Sequence, residues 1–178
     1  NISDYIYNGS VWYVAEKSER VYDGNGNVTT ETHYSYNENT NTLLPDYKEL
    51  YSNYVGGVFY EVVFQEYNTA YSSWENTGKY TDIIWFDYSK YILANYVYWE
   101  YNNSNFTKLY KANSVISDNL LRSSYYVWWD TQNNNWYDFI YVKDTFKYDF
   151  KKNETEFLRK QLADINNMTY QTIDRRVT

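Results

Sequence analysis

The sequence predicts an all-β protein: an antiparallel up-and-down meander of tandem hairpin repeats of about 31–32 residues, open and twisted or superhelical. A closed, lipocalin-like barrel is the alternative, since a similar strand count could close. Three observations predict the class. Aromatics make up 22% of the 178 residues, with 25 Tyr, 7 Trp and 8 Phe against one Pro and six Gly. Tyr, Trp, Phe and Val suit a pleated, half-buried surface. Asn falls in short runs, and Asn closes turns because it tolerates left-handed backbone and bonds its own main chain. Third, the chain repeats. Trp12 precedes Lys17 by five residues, Trp74 precedes Lys79, Phe106 precedes Lys111, and Tyr170 precedes Arg175. Leu43 and Lys48 keep the spacing with an aliphatic anchor, and Trp136 and Lys143 stretch it by two. From Lys17 through Lys48, Lys79, Lys111 and Lys143 to Arg175 the basic residues are 31, 31, 32, 32 and 32 apart.

Each unit reads as an aromatic strand, an Asn-rich turn, a second strand carrying the basic residue, and an acidic or Asn/Gly turn. The chain opens inside a repeat, with "YNGSVW" at 7–12 as the first turn. First strands follow at 32–37 ("THYSYN"), 62–68 ("VVFQEYN"), 96–102 ("YVYWEYN") and 125–130 ("YYVWWD"). The closing turns are "YDGNGN" (22–27), "NYVGG" (53–57), "FDYSK" (86–90), "ISDN" (116–119) and "YDFKKN" (148–153). Asn25-Gly26 predicts a type I′ hairpin, and Gly56-Gly57 serves similarly. About five and a half units give roughly 10–12 strands in a single repeat domain over 1–178. Positions five apart on a regular strand point to opposite faces, so each anchor is expected on one face and its lysine on the other. In register, the anchors are expected to build aromatic ladders. One segment is ambiguous. Phe157, Leu158, Leu162, Ile165 and Met168 sit at near-helical spacing behind a candidate N-cap, Asn153. The repeat phase held by Tyr170 and Arg175 favours a strand there.

Composition excludes several functions. A net charge of −7 argues against a nucleic-acid partner, which needs a basic patch. No apolar run is long enough to insert in a membrane as a helix. Without Cys there are no disulfides and no thiolate metal sites. The start at Asn1, with neither an initiating Met nor a signal peptide, reads as a mature product or a fragment.

Candidate chemistry is thin. His33, the only histidine, reads as a surface or packing residue beside Tyr34. Asp23 to Asn27 resembles the start of a calcium loop but has Val28 where glycine and Tyr34 where glutamate belong, so a hairpin turn is the better reading. Glu61, Glu66, Asp82, Asp87 and Glu100 lie on strands at repeat-like places and read as solvated acids rather than a glycosidase pair. Trp74, Trp99, Trp128, Trp129 and Trp136 are candidates for stacking on sugar rings, or else ladder residues. Sequons at Asn1, Asn8, Asn27, Asn102, Asn105, Asn153 and Asn167 matter only in a glycosylating host.

Laid out this way, the units, with Trp12, Lys17 and "YDGNGN" matching best, resemble the tandem aromatic repeats of predicted secreted or surface proteins of Bacteroidota-type bacteria. More distantly they are similar to YD repeats, which build extracellular β-shells. The resemblance implies a secreted or surface-exposed repeat protein and carries over no catalytic residue. The expected function is structural or adhesive, as a spacer, stalk or fibre subunit associating with itself through edge strands. A carbohydrate-binding module and a barrel holding a small ligand are the alternatives. No enzyme, cofactor or metal is expected.

Overall fold

The computed structural model describes residues 2–7, 12–90 and 92–177. They form thirteen strands and one 3-10 turn, Tyr88–Lys90. The strands are β1 (Ile2–Tyr7), β2 (Trp12–Tyr22), β3 (Val28–Asn37), β4 (Thr42–Ser52), β5 (Glu61–Asn68), β6 (Ser73–Asp87) and β7 (Ile92–Asn102). They continue with β8 (Asn105–Ser117), β9 (Leu120–Asp130), β10 (Asn135–Trp136), β11 (Val142–Tyr148), β12 (Glu154–Asp164) and β13 (Thr169–Val177). Sheet order follows chain order, with β10 set aside on β9. This is the predicted open meander. Among the described residues the path runs from β1 to β13 without closing, which overturns the barrel alternative. The Trp12 side chain, most of the first turn and the sequons at Asn1 and Asn8 lie outside the described residues.

The ambiguous segment is a strand, β12. Its apolar residues serve the sheet instead of a helical stripe. Phe157 is buried and its ring meets Phe146 of β11 at 5.3 Å. Asn153 caps no helix; its side chain and backbone both donate to the Asp149 carboxylate.

The five-residue spacing has a physical cause that corrects the opposite-face expectation. Lys79 pairs with Val63 and Trp74 with Tyr67, yet Thr77 has no place in the ladder between them. β6 therefore carries one extra residue, a β-bulge, and its anchor and lysine face partners four apart on β5. Four is an even step, so Trp74 and Lys79 share a face. The same bulge recurs at Ala15 between Trp12 and Lys17, at Asp46–Tyr47 between Leu43 and Lys48, and at Ile173 between Tyr170 and Arg175. The stretched pair obeys the same rule. Trp136 pairs with Trp129 and Lys143 with Tyr125, again four apart, with residues after Tyr137 looping out before Tyr141 rejoins.

The turns fall into few types. At Asp23–Asn27, Gly26 N–H donates to the Asp23 carbonyl, and Gly26, but not Asn25, has positive φ (83°). This is a type I turn with a left-handed residue after it, not the expected type I′. Asp149–Asn153 repeats it with Lys152 at φ 68°. True two-residue left-handed turns occur at Gly56-Gly57, Asn103-Ser104 and Asp118-Asn119.

Packing groups the chain into two compact units, residues 1–80 with 100–106 and residues 81–99 with 107–178. The first centres on Phe59 and Val62, with Phe59 against Tyr51 at 4.5 Å. The second centres on Ile83, Ala94, Ala112 and Phe157. Within it, Tyr98, Tyr110, Trp128 and Tyr141 form a ring ladder at 5.1, 5.3 and 4.5 Å.

Candidate functional site

Shared facing lets three of the lysines reach the next unit's anchor. Lys48 Nζ lies 4.0 Å from the Trp74 ring centre, Lys79 lies 4.8 Å from Phe106, and Lys111 lies 4.9 Å from Trp136. Where the next anchor is the aliphatic Leu43, Lys17 lies instead over its cross-strand neighbour Tyr34, at 5.3 Å. The anchors thus alternate with cations, where a plain aromatic ladder was expected. Cation–π contacts contribute roughly 0.5–1 kcal/mol each where exposed and more where desolvated. Burial holds the Lys48 amine below its ordinary pKa. Arg175 ends the series in an ion pair with Glu156 (2.9 Å), and the Tyr170 hydroxyl donates to the Ile140 carbonyl (2.7 Å).

The five tryptophans named from sequence are all half-buried. Trp74 meets Tyr67 edge-on at 5.1 Å and lies under Lys48. Trp99 donates to Thr81 Oγ1 at 2.8 Å. Trp128 lies in the ring ladder. Trp129 and Trp136 pack together at 4.8 Å with Lys108 over both. Of the strand acids, Asp87 is engaged by Ser89 and Lys90, and Glu61 accepts from Asn53. The Asp23 carboxylate accepts from the Asn25 and Asn27 backbones and the Asn27 side chain. It closes a turn, as the sequence reading preferred over a calcium loop.

Two constellations escaped the sequence reading. The first is on β3 and β4. Glu31 pairs directly with Glu49 across the strands, and His33 faces the Asp46–Tyr47 bulge. The bulge turns Tyr47 flat onto the imidazole, with ring centres 4.0 Å apart and planes 9° apart. His33 Nε2 then lies 3.9 Å from Glu31 Oε1 and 3.8 Å from Glu49 Oε2. Arg20 holds the other Glu31 oxygen at 2.9 Å, and the Tyr51 hydroxyl donates to Glu49 at 2.6 Å. A cavity of about 370 Å³ beside this cluster is lined by His33, Tyr47, Asp4, Glu16 and Asp46 among others. Burial first, then the negative charges of Glu49, Glu31, Asp46 and Glu16, hold the Tyr47 phenol above its ordinary pKa. The signal available in sequence was Glu31-x-His33, two ligating side chains on one strand face.

The second is on β11 and β12. Asp144, 3% exposed, receives Arg159 through Nε and Nη2, both at 2.7 Å, and Tyr126 at 3.3 Å. The Asp144 carboxylate holds the Arg159 guanidinium above its ordinary range. An aromatic cleft of about 330 Å³ beside it is lined by Tyr96, Tyr110, Tyr126 and Trp128.

No protein-family model and no curated protein matches this sequence. Among solved structures, the chain is similar to a protein of unknown function from Bacteroides fragilis, 11% identical, covering 92% of this chain and 91% of that one with a TM-score of 0.35. It is also similar to a DUF3836 family protein from Bacteroides vulgatus, 16% identical, covering 68% of this chain and 85% of that one with a TM-score of 0.30.

Proposed function

We propose that this chain is an extracellular structural or adhesive repeat protein that associates with itself through strand β13. The observation that carries the reading is the exposure of that strand: all nine of its residues, Thr169–Val177, face solvent, including Tyr170, Ile173 and Val177. Among the described residues β13 pairs with β12 alone; an outer strand presents backbone donors and acceptors to any strand that approaches, and main-chain pairing supplies the affinity. The lysine-covered indoles favour this reading over glycan binding, which needs open ring faces. No helix among the described residues is long and apolar enough to cross a membrane.

The test is light scattering from micromolar to millimolar protein, with electron microscopy of the concentrated sample. Mass should grow with concentration, and Thr172→Pro, which removes a backbone donor from β13, should reduce that growth. A monomer at every concentration would sink the proposal.

A further inference from the structure

We infer that Glu31, His33 and Glu49 form a binding site for a divalent transition metal, zinc above all. The register supplies the first argument. Glu31 and Glu49 are direct cross-strand neighbours, and like charges placed directly opposite repel. Arg20 offsets part of that charge at the outer oxygen of Glu31, 2.9 Å away. The inner oxygens face His33 instead.

The second argument is His33 Nε2 itself. This ring nitrogen is buried and lacks a hydrogen-bond partner. Its distances to the two carboxylates, 3.8 and 3.9 Å, are too long for hydrogen bonds. They are close to the spacing of ligand atoms around a shared ion. Two ligands on a tetrahedral zinc with bonds of about 2.1 Å sit about 3.4 Å apart. One donor atom from each of the three side chains lies within 4.8 Å of the others, so a movement of up to about 0.7 Å per side chain would bring all three to the tetrahedral spacing.

The surroundings fit a metal as well. Ligating groups are usually oriented by outer partners. Arg20 does this for Glu31 through its other oxygen, the Tyr51 hydroxyl for Glu49 through Oε2, the oxygen that faces His33, and the stacked Tyr47 ring for His33. Asp4, Glu16 and Asp46 on the adjoining cavity supply an acidic approach for a cation. One imidazole nitrogen with two carboxylate oxygens suits zinc and its neighbours, whereas calcium and magnesium take all-oxygen sets.

Calorimetry on the full chain after chelator treatment tests this, with zinc, calcium and magnesium chlorides as titrants. The expected result is one zinc per chain, with calcium and magnesium at least tenfold weaker. His33→Gln and Glu49→Gln should each weaken zinc at least tenfold, with circular dichroism confirming that the variants keep their strands. Cobalt substitution gives a readout independent of the variants: the folded wild type should show the visible absorption of a low-coordinate cobalt–imidazole site. Absence of zinc heat and cobalt colour would overturn the inference. So would zinc binding unchanged in both variants, or calcium binding as tight as zinc.

Discussion

Asp144 shows most clearly what a single side chain contributes. It is almost fully buried, and both of its oxygens receive Arg159. Removing one member of a buried pair costs about 3–5 kcal/mol, because the remaining charge loses its compensation. Here the Arg159 side chain is 40% exposed and can turn toward water, which lowers the cost. Asp144→Asn is therefore expected to destabilise the fold by about 2–3 kcal/mol in urea denaturation, since the amide places donors against the donors of Arg159. A change below about 0.5 kcal/mol would mean that the pair behaves as a surface ion pair. His33 is the contrasting residue. Sequence showed it as a lone histidine, a reading fair to its immediate neighbours. Glu49 reaches it only because β4 pairs with β3 in one register and carries a bulge opposite the imidazole. Neither fact is written in residues near His33, so the cluster was legible only as Glu31-x-His33.

Among the elements, six of the turns share one device. Asp23 and Asp149 each accept from the backbone two and four residues on and from the side-chain amide of Asn27 or Asn153. Asp130 and Asp164 do the same over a shorter turn, with Asn133 and Asn167. Asn37 and Asn68 perform the backbone part with an amide oxygen. These bonds hold all four aspartates below the ordinary carboxylate pKa; the Asn27, Asn133 and Asn167 side chains are the main cause at Asp23, Asp130 and Asp164, and the Asn153 backbone at Asp149. A carboxyl with a depressed native pKa stabilises the fold above its unfolded value of about 3.9, and that stability is lost as pH falls through the lower native values. The melting temperature should therefore hold from neutral pH to about 5 and fall below about 4. Glu19, Asp87 and Glu156 are depressed too and add to the fall, so the turns are read by difference. A variant with Asn at 23, 130, 149 and 164 should lose less on acidification than wild type, and equal slopes would refute the assignment. The Asn-rich turns were legible in sequence because their chemistry is local. The bulges were not: a bulge is a single extra residue with no compositional mark, and Ala15, Thr77 and Ile173 fill that place equally well. Only the odd spacing of five betrays it, and on a regular strand five residues amount to a change of face.

At the scale of the whole molecule, a meander that pairs each strand with its sequence neighbours is what a 31–32-residue period implies, and so the architecture was the most legible level. Closure was not legible, because it depends on register and twist accumulated over many strands. In such a path the inner strands have two partners, while β13 has β12 alone among the described residues. Stability is therefore expected to be uneven. Val62 on β5 and Ala112 on β8 are buried, whereas every residue of β13 is exposed. Hydrogen exchange in dilute protein should find the β13 amides opening first and those of β5 and β8 last. The proposed self-association makes a second demand on the same experiment. Raising concentration should slow exchange in β13 by tenfold or more while leaving β5 and β8 unchanged, because only the outer strand gains a partner. Protection in β13 equal to that of β8 in dilute solution would show an edge already guarded. Concentration-independent exchange would place any association elsewhere on the chain.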